Sequence, residues 1–189
     1  MPVTVAPVID ATHFVHTPQP SLRAAELTLR PFERADAPTV AAAFSDPDIQ
    51  QWHGFRVDEL DQARAWIDRT HTRWSAAQSA DWAITDGSVV LGRCALHLDC
   101  RGGTAEIAYW LLPEARGRGV VTRAVLSVTD WAHTELRVHR ISLQHSTRNH
   151  ASCAVAMRAG YVAEGTARQQ GLHADGWHDM HQHSHLATD

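Results

Sequence analysis

The chain has 189 residues, 44% of them hydrophobic and 20% charged, with a formal net charge of -4 and an isoelectric point near 6.4. That length suits one domain with a sizeable core, and the acidic balance argues against nucleic-acid binding, which goes with a basic excess. No apolar run approaches the roughly 20 residues of a membrane span. No basic stretch followed by an apolar core marks the start as a secretory signal, and Cys94, Cys100 and Cys153, odd in number and without C-x-x-C spacing, read as reduced thiols of a cytoplasmic protein.

Residues 1–25 carry four of the prolines and little periodicity, which reads as an extended arm on the domain or a loose tail. A single domain is expected over residues 26–189. Leu27-Thr28-Leu29-Arg30 is a short strand. Asp36 is placed to cap a helix with Pro38 in its first turn and Val40, Ala43 and Phe44 on one face. Asp46-Pro47-Asp48 is read as its end. Leu60, Ala63, Ile67 and Trp74 then recur at helical spacing, which predicts a helix over about 57–77.

After that the period shortens to two. Residues 81–85, 89–98 and 104–112 read as strands, with Asp86-Gly87 and Arg101-Gly102-Gly103 as turns between them. Short turns make this an antiparallel meander. Val121, Ala124, Val125, Val128 and Trp131 mark a helix. A strand over 140–145, a helix over 151–159 ending at Gly160, and closing strands over 161–167 and 177–186 complete the chain. The fold class expected is α+β: a mixed, mostly antiparallel sheet of about seven strands with helices on both faces.

Between the third meander strand and the next helix stands Pro113-Glu114-Ala115-Arg116-Gly117-Arg118-Gly119-Val120-Val121. Glycine at alternate positions lets the main chain approach an anion closely, and the helix start supplies free N–H groups. The loop reads as a phosphate cradle. It lacks the third glycine of a dinucleotide fingerprint and the Gly-Lys-Ser/Thr of a nucleotide P-loop. A tight packing turn is the other reading. Arg116 and Arg118 have the chemistry to pair with phosphate oxygens, and Thr122 lies in the first helical turn.

The run Arg116-Gly117-Arg118-Gly119-Val120-Val121 resembles the acetyl-CoA loop Q/R-x-x-G-x-G/A of the GCN5-related N-acetyltransferases (GNAT), with Val121 where Gly or Ala is usual. The resemblance extends over Leu27 to Phe32, Asp36, Glu106 to Leu111, Asn149 to Ser152, Gly160-Tyr161 and Glu164-Gly165. That set is similar to the RimJ/RimL branch, which acetylates the N-termini of ribosomal proteins. It implies a GNAT-like sheet whose two central strands splay apart to admit acetyl-CoA. It also implies N-acetyltransferase activity on a primary amine, either a protein N-terminus or a small molecule, by direct attack in a ternary complex.

The resemblance suggests roles for individual residues. The main chain from Arg116 through Gly117, Arg118, Gly119 and Val120 to Val121, with Thr122, would hold the diphosphate. The main chains of Leu111 and Leu112 would meet the pantetheine amides. Glu106 occupies the position of the general base in histone-type relatives; an exposed edge-strand carboxylate is its plainer reading. Ser152, in Asn149-x-x-Ser152, would protonate the leaving thiolate, with Asn149 beside it; helix capping is the plainer reading of both. The acid that follows Glu-Gly in the ribosomal branch is missing from residues 166–171, which leaves Glu106 as the base, acting through water.

Acetyl-CoA is the co-substrate expected, with no metal, no nucleic acid, no membrane, and a homodimer as a possible assembly. His53 reads as a solvated loop residue. Trp52, Phe55 and Trp82 are candidates to shape an acyl pocket for another acyl-CoA such as succinyl-CoA. Asp46, Asp48, Asp58 and Glu59 lie in segments that would line the acceptor cleft. The alternatives are a non-catalytic CoA-binding regulatory module and a metal sensor. His181, His183 and His185, among 14 histidines, fall on one strand face, but no cysteine or acid pair is expected to complete a metal site there.

Overall fold

The structure is a computed structural model that describes residues 6–54, 56, 57 and 59–189. Eight strands form one sheet: β1 (Leu22–Ala24), β2 (Leu27–Pro31), β3 (Ser79–Asp86), β4 (Val89–Asp99), β5 (Thr104–Leu111), β6 (Arg140–Ser146), β7 (Val162–His173) and β8 (Gly176–Leu186). Their order across the sheet is β1-β2-β3-β4-β5-β6-β8-β7. Only β5 and β6 run parallel, because a helix crosses between them while short turns join the meander. The mixed α+β sheet expected from the sequence is present, with one more strand.

The helices are α1 (Thr12–His16), α2 (Ala37–Ser45), α3 (Pro47–Trp52), α4 (Leu60–Ser75), α5 (Val120–Thr134) and α6 (His150–Arg158). Two differ from expectation. Asp46-Pro47 ends α2 but also begins α3: the Asp46 carboxylate accepts the Ile49 N–H at 3.0 Å and Pro47 takes the first helical position, where its missing N–H costs nothing. In the first 25 residues α1 and β1 form. Ile9 and Phe14 are buried, Trp74 donates its indole N–H to the Thr17 carbonyl at 2.8 Å, and Trp82 donates to Pro20 at 2.7 Å. The described part of the arm is thus packed on the domain. No described helix is long and apolar enough to cross a membrane.

The sheet separates two cores. On one face Val125, Val128 and Trp131 of α5 pack on Leu29, Trp82, Leu96 and Ile107. On the other, Val40, Phe44, Trp66 and Ile67 pack on Phe32, Val90 and Trp110. Trp82 is fully buried, edge-on to Trp131 at 5.3 Å, so it is core and does not line an acyl pocket. Phe55 lies outside the described residues.

The second core holds a buried ion pair. Arg93 Nε donates to Asp81 Oδ1 at 2.7 Å and Ser79 Oγ donates to Oδ2 at 2.7 Å. Burial alone would raise the Asp81 pKa; the Arg93 charge and these hydrogen bonds outweigh it and hold the carboxyl below its usual value. A depressed pKa adds stability above the unfolded value, lost as pH falls through the folded one. Asp81→Asn leaves the Arg93 charge uncompensated and is expected to cost about 3–5 kcal/mol, read by urea unfolding at pH 7. A loss below 1 kcal/mol would contradict this account of the pair.

Candidate active site

The site begins where β5 and β6 part. Their pairing covers only Thr104↔Arg140, Ala105↔Ile141 and Glu106↔Ser142, yet β5 runs on to Leu111 and β6 to Ser146. Beyond Glu106 the strands diverge and leave a gap with main-chain groups on its edge. His53 marks which groups: its Nε2 meets the Tyr109 carbonyl at 3.2 Å. An extended residue points its N–H and C=O to one side, and residues two apart share that side. Tyr109 and Leu111 therefore offer their main chains to the gap. Leu112 does not, since its N–H donates to the Leu91 carbonyl at 3.0 Å.

His53, read from the sequence as a solvated loop residue, is instead partly buried against β5. Burial, then the nearby Arg93 charge, pushes its pKa down to about 4, so it is neutral at pH 7. Its contact with a carbonyl places the proton on Nε2. It walls a cavity of about 370 Å³ with Gln50, Gln51, Arg56, Leu172 and His173. The β7–β8 turn closes this cavity. Asp175 accepts from Gln51 at 3.0 Å and from Arg148 at 2.9 Å, and it contacts the buried His178 at 2.9 Å. Trp52 packs edge-on against His173 at 5.6 Å, behind this wall.

At the far end of β5 a short 3-10 turn, Pro113–Ala115, leads into the glycine loop. Gly117 (φ 73) and Gly119 (φ 70) are both left-handed, a conformation that strains any residue with a Cβ. Gly119 caps α5 without a side chain. Among the described residues no main-chain acceptor takes an N–H from Gly117, Arg118, Gly119, Val120, Val121 or Thr122, whereas Arg116 N–H goes to Pro113 and Arg123 N–H to Gly119. These open amides stand at the positive end of the α5 dipole.

The arginines divide. Arg118 is exposed on the loop. The Arg116 guanidinium is already engaged: it donates to Asp48 at 2.6 Å and to Asp46 at 3.0 Å, with Nε 3.4 Å from the Leu111 carbonyl. Arg116 thus ties the loop to the start of α3, and Asp46 and Asp48 serve that tie. Asp58 lies outside the described residues and Glu59 is exposed.

Strand alternation separates the remaining candidates. Glu106 shares the parity of Trp110, which faces the α2–α4 core; Ile107 and Tyr109 face the α5 side. Glu106 therefore stands at the vertex of the gap on the α2–α4 face. It reaches solvent, and partial burial raises its pKa. Ser152, in the first turn of α6, lies on the other face. Its N–H donates to the Asn149 side chain at 3.0 Å, so Asn149 is a true helix cap. Ser152 lies beside the buried Tyr109 phenol, whose hydroxyl makes no hydrogen bond of regular geometry. Burial pushes the Tyr109 pKa up to about 12. Glu164, in β7, is occupied by Arg140 at 2.7 Å and Ser184 at 2.9 Å.

The model of the acetyltransferase (GNAT) domain matches residues 26–162. "Putative ribosomal N-acetyltransferase YdaF" of Bacillus subtilis is 38% identical over 96 residues, 50% of this chain and 51% of that protein, so the match spans about half of this relative. Among solved structures, the ribosomal α-N-protein acetyltransferase RimL in complex with coenzyme A has a TM-score of 0.83 at 17% identity, covering 88% of this chain and 98% of that one. The self-immunity acetyltransferase MccE, solved with acetyl-CoA and AMP, has a TM-score of 0.81 at 19% identity, covering 91% and 98%. The family match, the sheet parted beyond Glu106 and the open amides at the head of α5 together make this chain a member of the GNAT acetyltransferases, an acyltransferase family, resembling its RimJ/RimL branch.

Proposed function

We propose that this chain transfers an acetyl group from acetyl-CoA to a primary amine by direct attack. The observation that carries the reading is the run of unpartnered N–H groups from Gly117 to Thr122 at the end of the strand whose inner edge is also open. The diphosphate of CoA suits the first feature and the pantetheine amides suit the second. In this reading Leu111 and Tyr109 offer main-chain groups along the gap, and the side chain of Arg116 acts through α3.

The two faces of the gap take different tasks. A thioester lying between β5 and β6 has Glu106 on one side and the Ser152–Tyr109 pair on the other. The amine arrives from the Glu106 side, through the cavity walled by His53 and the β7–β8 turn. Glu106, through water, accepts the proton the amine sheds, and a raised pKa suits that exchange. As the C–S bond breaks, Ser152 donates a proton to the thiolate, with the neutral Tyr109 hydroxyl behind it. A main-chain N–H on the open edge of β5 meets the developing oxyanion.

A thiol-release assay tests the proposal. Acetyl-CoA with peptides bearing free N-termini and with small amines is expected to give amine-dependent CoA release, faster than succinyl-CoA gives. Tight acetyl-CoA binding with no release for any amine would instead assign a non-catalytic binding module.

A further inference from the structure

The histidine-rich end has a partner the sequence did not suggest. Strand β8 pairs with β6 so that His181 lies opposite His145 and His183 opposite Leu143. His145 shares the parity of the buried Ile141 and Leu143, and so faces α6. Cys153, one residue past Ser152, comes down from α6 onto the same spot. The ligand atoms of His145, Cys153, His181 and His183 all lie within 4.8 Å of one another. His185, the third histidine of the alternation, is not among them: it turns to His133, with 3.2 Å between ring nitrogens.

Three imidazoles and one thiolate make a complete four-ligand set for zinc. One edge of the tetrahedron already has its length. His145 Nε2 and His183 Nε2 are 3.2 Å apart, close to the roughly 3.3 Å between two nitrogens each about 2.0–2.1 Å from a tetrahedral ion. The outer support is present as well. His145 Nδ1 lies 2.8 Å from the Ser146 carbonyl, so that nitrogen carries the proton and Nε2 is bare, as a metal-bound histidine requires.

Without an ion the cluster is left with a mismatch. A bare His145 Nε2 requires His183 to donate from its own Nε2. That leaves His183 Nδ1 a buried acceptor, and it has no hydrogen-bond partner. With an ion, both Nε2 atoms bind it. His183 then carries its proton on Nδ1.

We propose that His145, Cys153, His181 and His183 form a binding site for a zinc-class divalent ion, which fastens α6 to strands β6 and β8. On binding, Cys153 gives its thiol proton to solvent and ligates as the thiolate. Acetyl transfer does not require this ion. The site lies beside Ser152 and steadies the helix that carries it.

Chelator-treated protein is expected to take up one equivalent of zinc with raised thermal stability. Cobalt is expected to give the intense visible bands of a four-coordinate ion and a thiolate-to-metal charge-transfer band. Cys153→Ser should remove that band. His183→Asn should weaken zinc binding about tenfold or more, while His185→Gln leaves it unchanged. Should the variants fail to fold, the native chain still decides: zinc is expected to shield Cys153, and not Cys100, from alkylation, read by peptide mass mapping. No stoichiometric uptake, a cobalt spectrum without the thiolate band, or Cys153 alkylated equally with and without zinc would overturn the proposal.

Discussion

Gly119→Glu is expected to weaken acetyl-CoA binding at least about a hundredfold, which corresponds to roughly 2.8 kcal/mol. Three effects act together. Gly119 has φ 70, and a Cβ there would sit 3.2 Å from an Arg123 guanidinium nitrogen. A side chain would also enter the concavity formed by the N–H groups that follow it. Most of all, a carboxylate at that point would itself fill the anion site, and the dipole of α5 would stabilise it in place of the diphosphate. Calorimetric titration reads the change. Gly119→Ala separates the causes, since it keeps the backbone strain and omits the charge; about a tenfold loss is expected for it. Unchanged affinity in Gly119→Glu, with the variant folded, would mean that the diphosphate binds elsewhere.

Glu106→Gln is expected to lower the turnover rate about a hundredfold near pH 6.5, within the usual range for loss of a general base. The loss should shrink towards pH 9. A free α-amino group has a pKa near 8, so at low pH the enzyme must remove a proton that at high pH has already gone. Glu106 has a raised pKa, so its base form is lost as pH falls through that value. The wild-type profile should fall on the acid side accordingly, whereas the variant's profile should follow the amine alone. The KM for acetyl-CoA should stay near wild type. An equal loss at every pH would remove Glu106 from the role of base and leave it a packing residue at the vertex of the strands.

The glycine loop was legible because it depends on local chemistry. An apolar strand ends at Pro113, left-handed glycines stand at 117 and 119, and a period of 3.6 begins at Val120; each signal lies within a few residues of the next. Three of the short elements, α1, β1 and α3, were not legible, although β2 was. The strand at Leu22–Ala24 and the helix at Thr12–His16 are shorter than the window that periodicity needs. Asp46-Pro47 stops one helix with the same two residues that start another.

Tertiary placement was also out of reach. His53 meets β5 only because the strand has lost its neighbour there. Arg116 meets Asp46 and Asp48 across some seventy positions of chain, so its competition with the phosphate role had no local sign. Some of this could have been found. The parity of Ile107 puts Tyr109 on the α6 face, and the parity of Ile141 and Leu143 puts His145 there. Bringing His181 and His183 beside His145 required knowing that β8 pairs with β6.

The most direct test of the cradle and the parted strands is a crystal structure of the chain grown with acetyl-CoA. The diphosphate oxygens are expected within hydrogen-bond distance of the N–H groups between Gly117 and Thr122. The thioester is expected in the gap beyond Glu106 and Ser142, its sulfur nearer Ser152 than Glu106. A cofactor lodged away from the gap, with this loop facing solvent, would contradict the account.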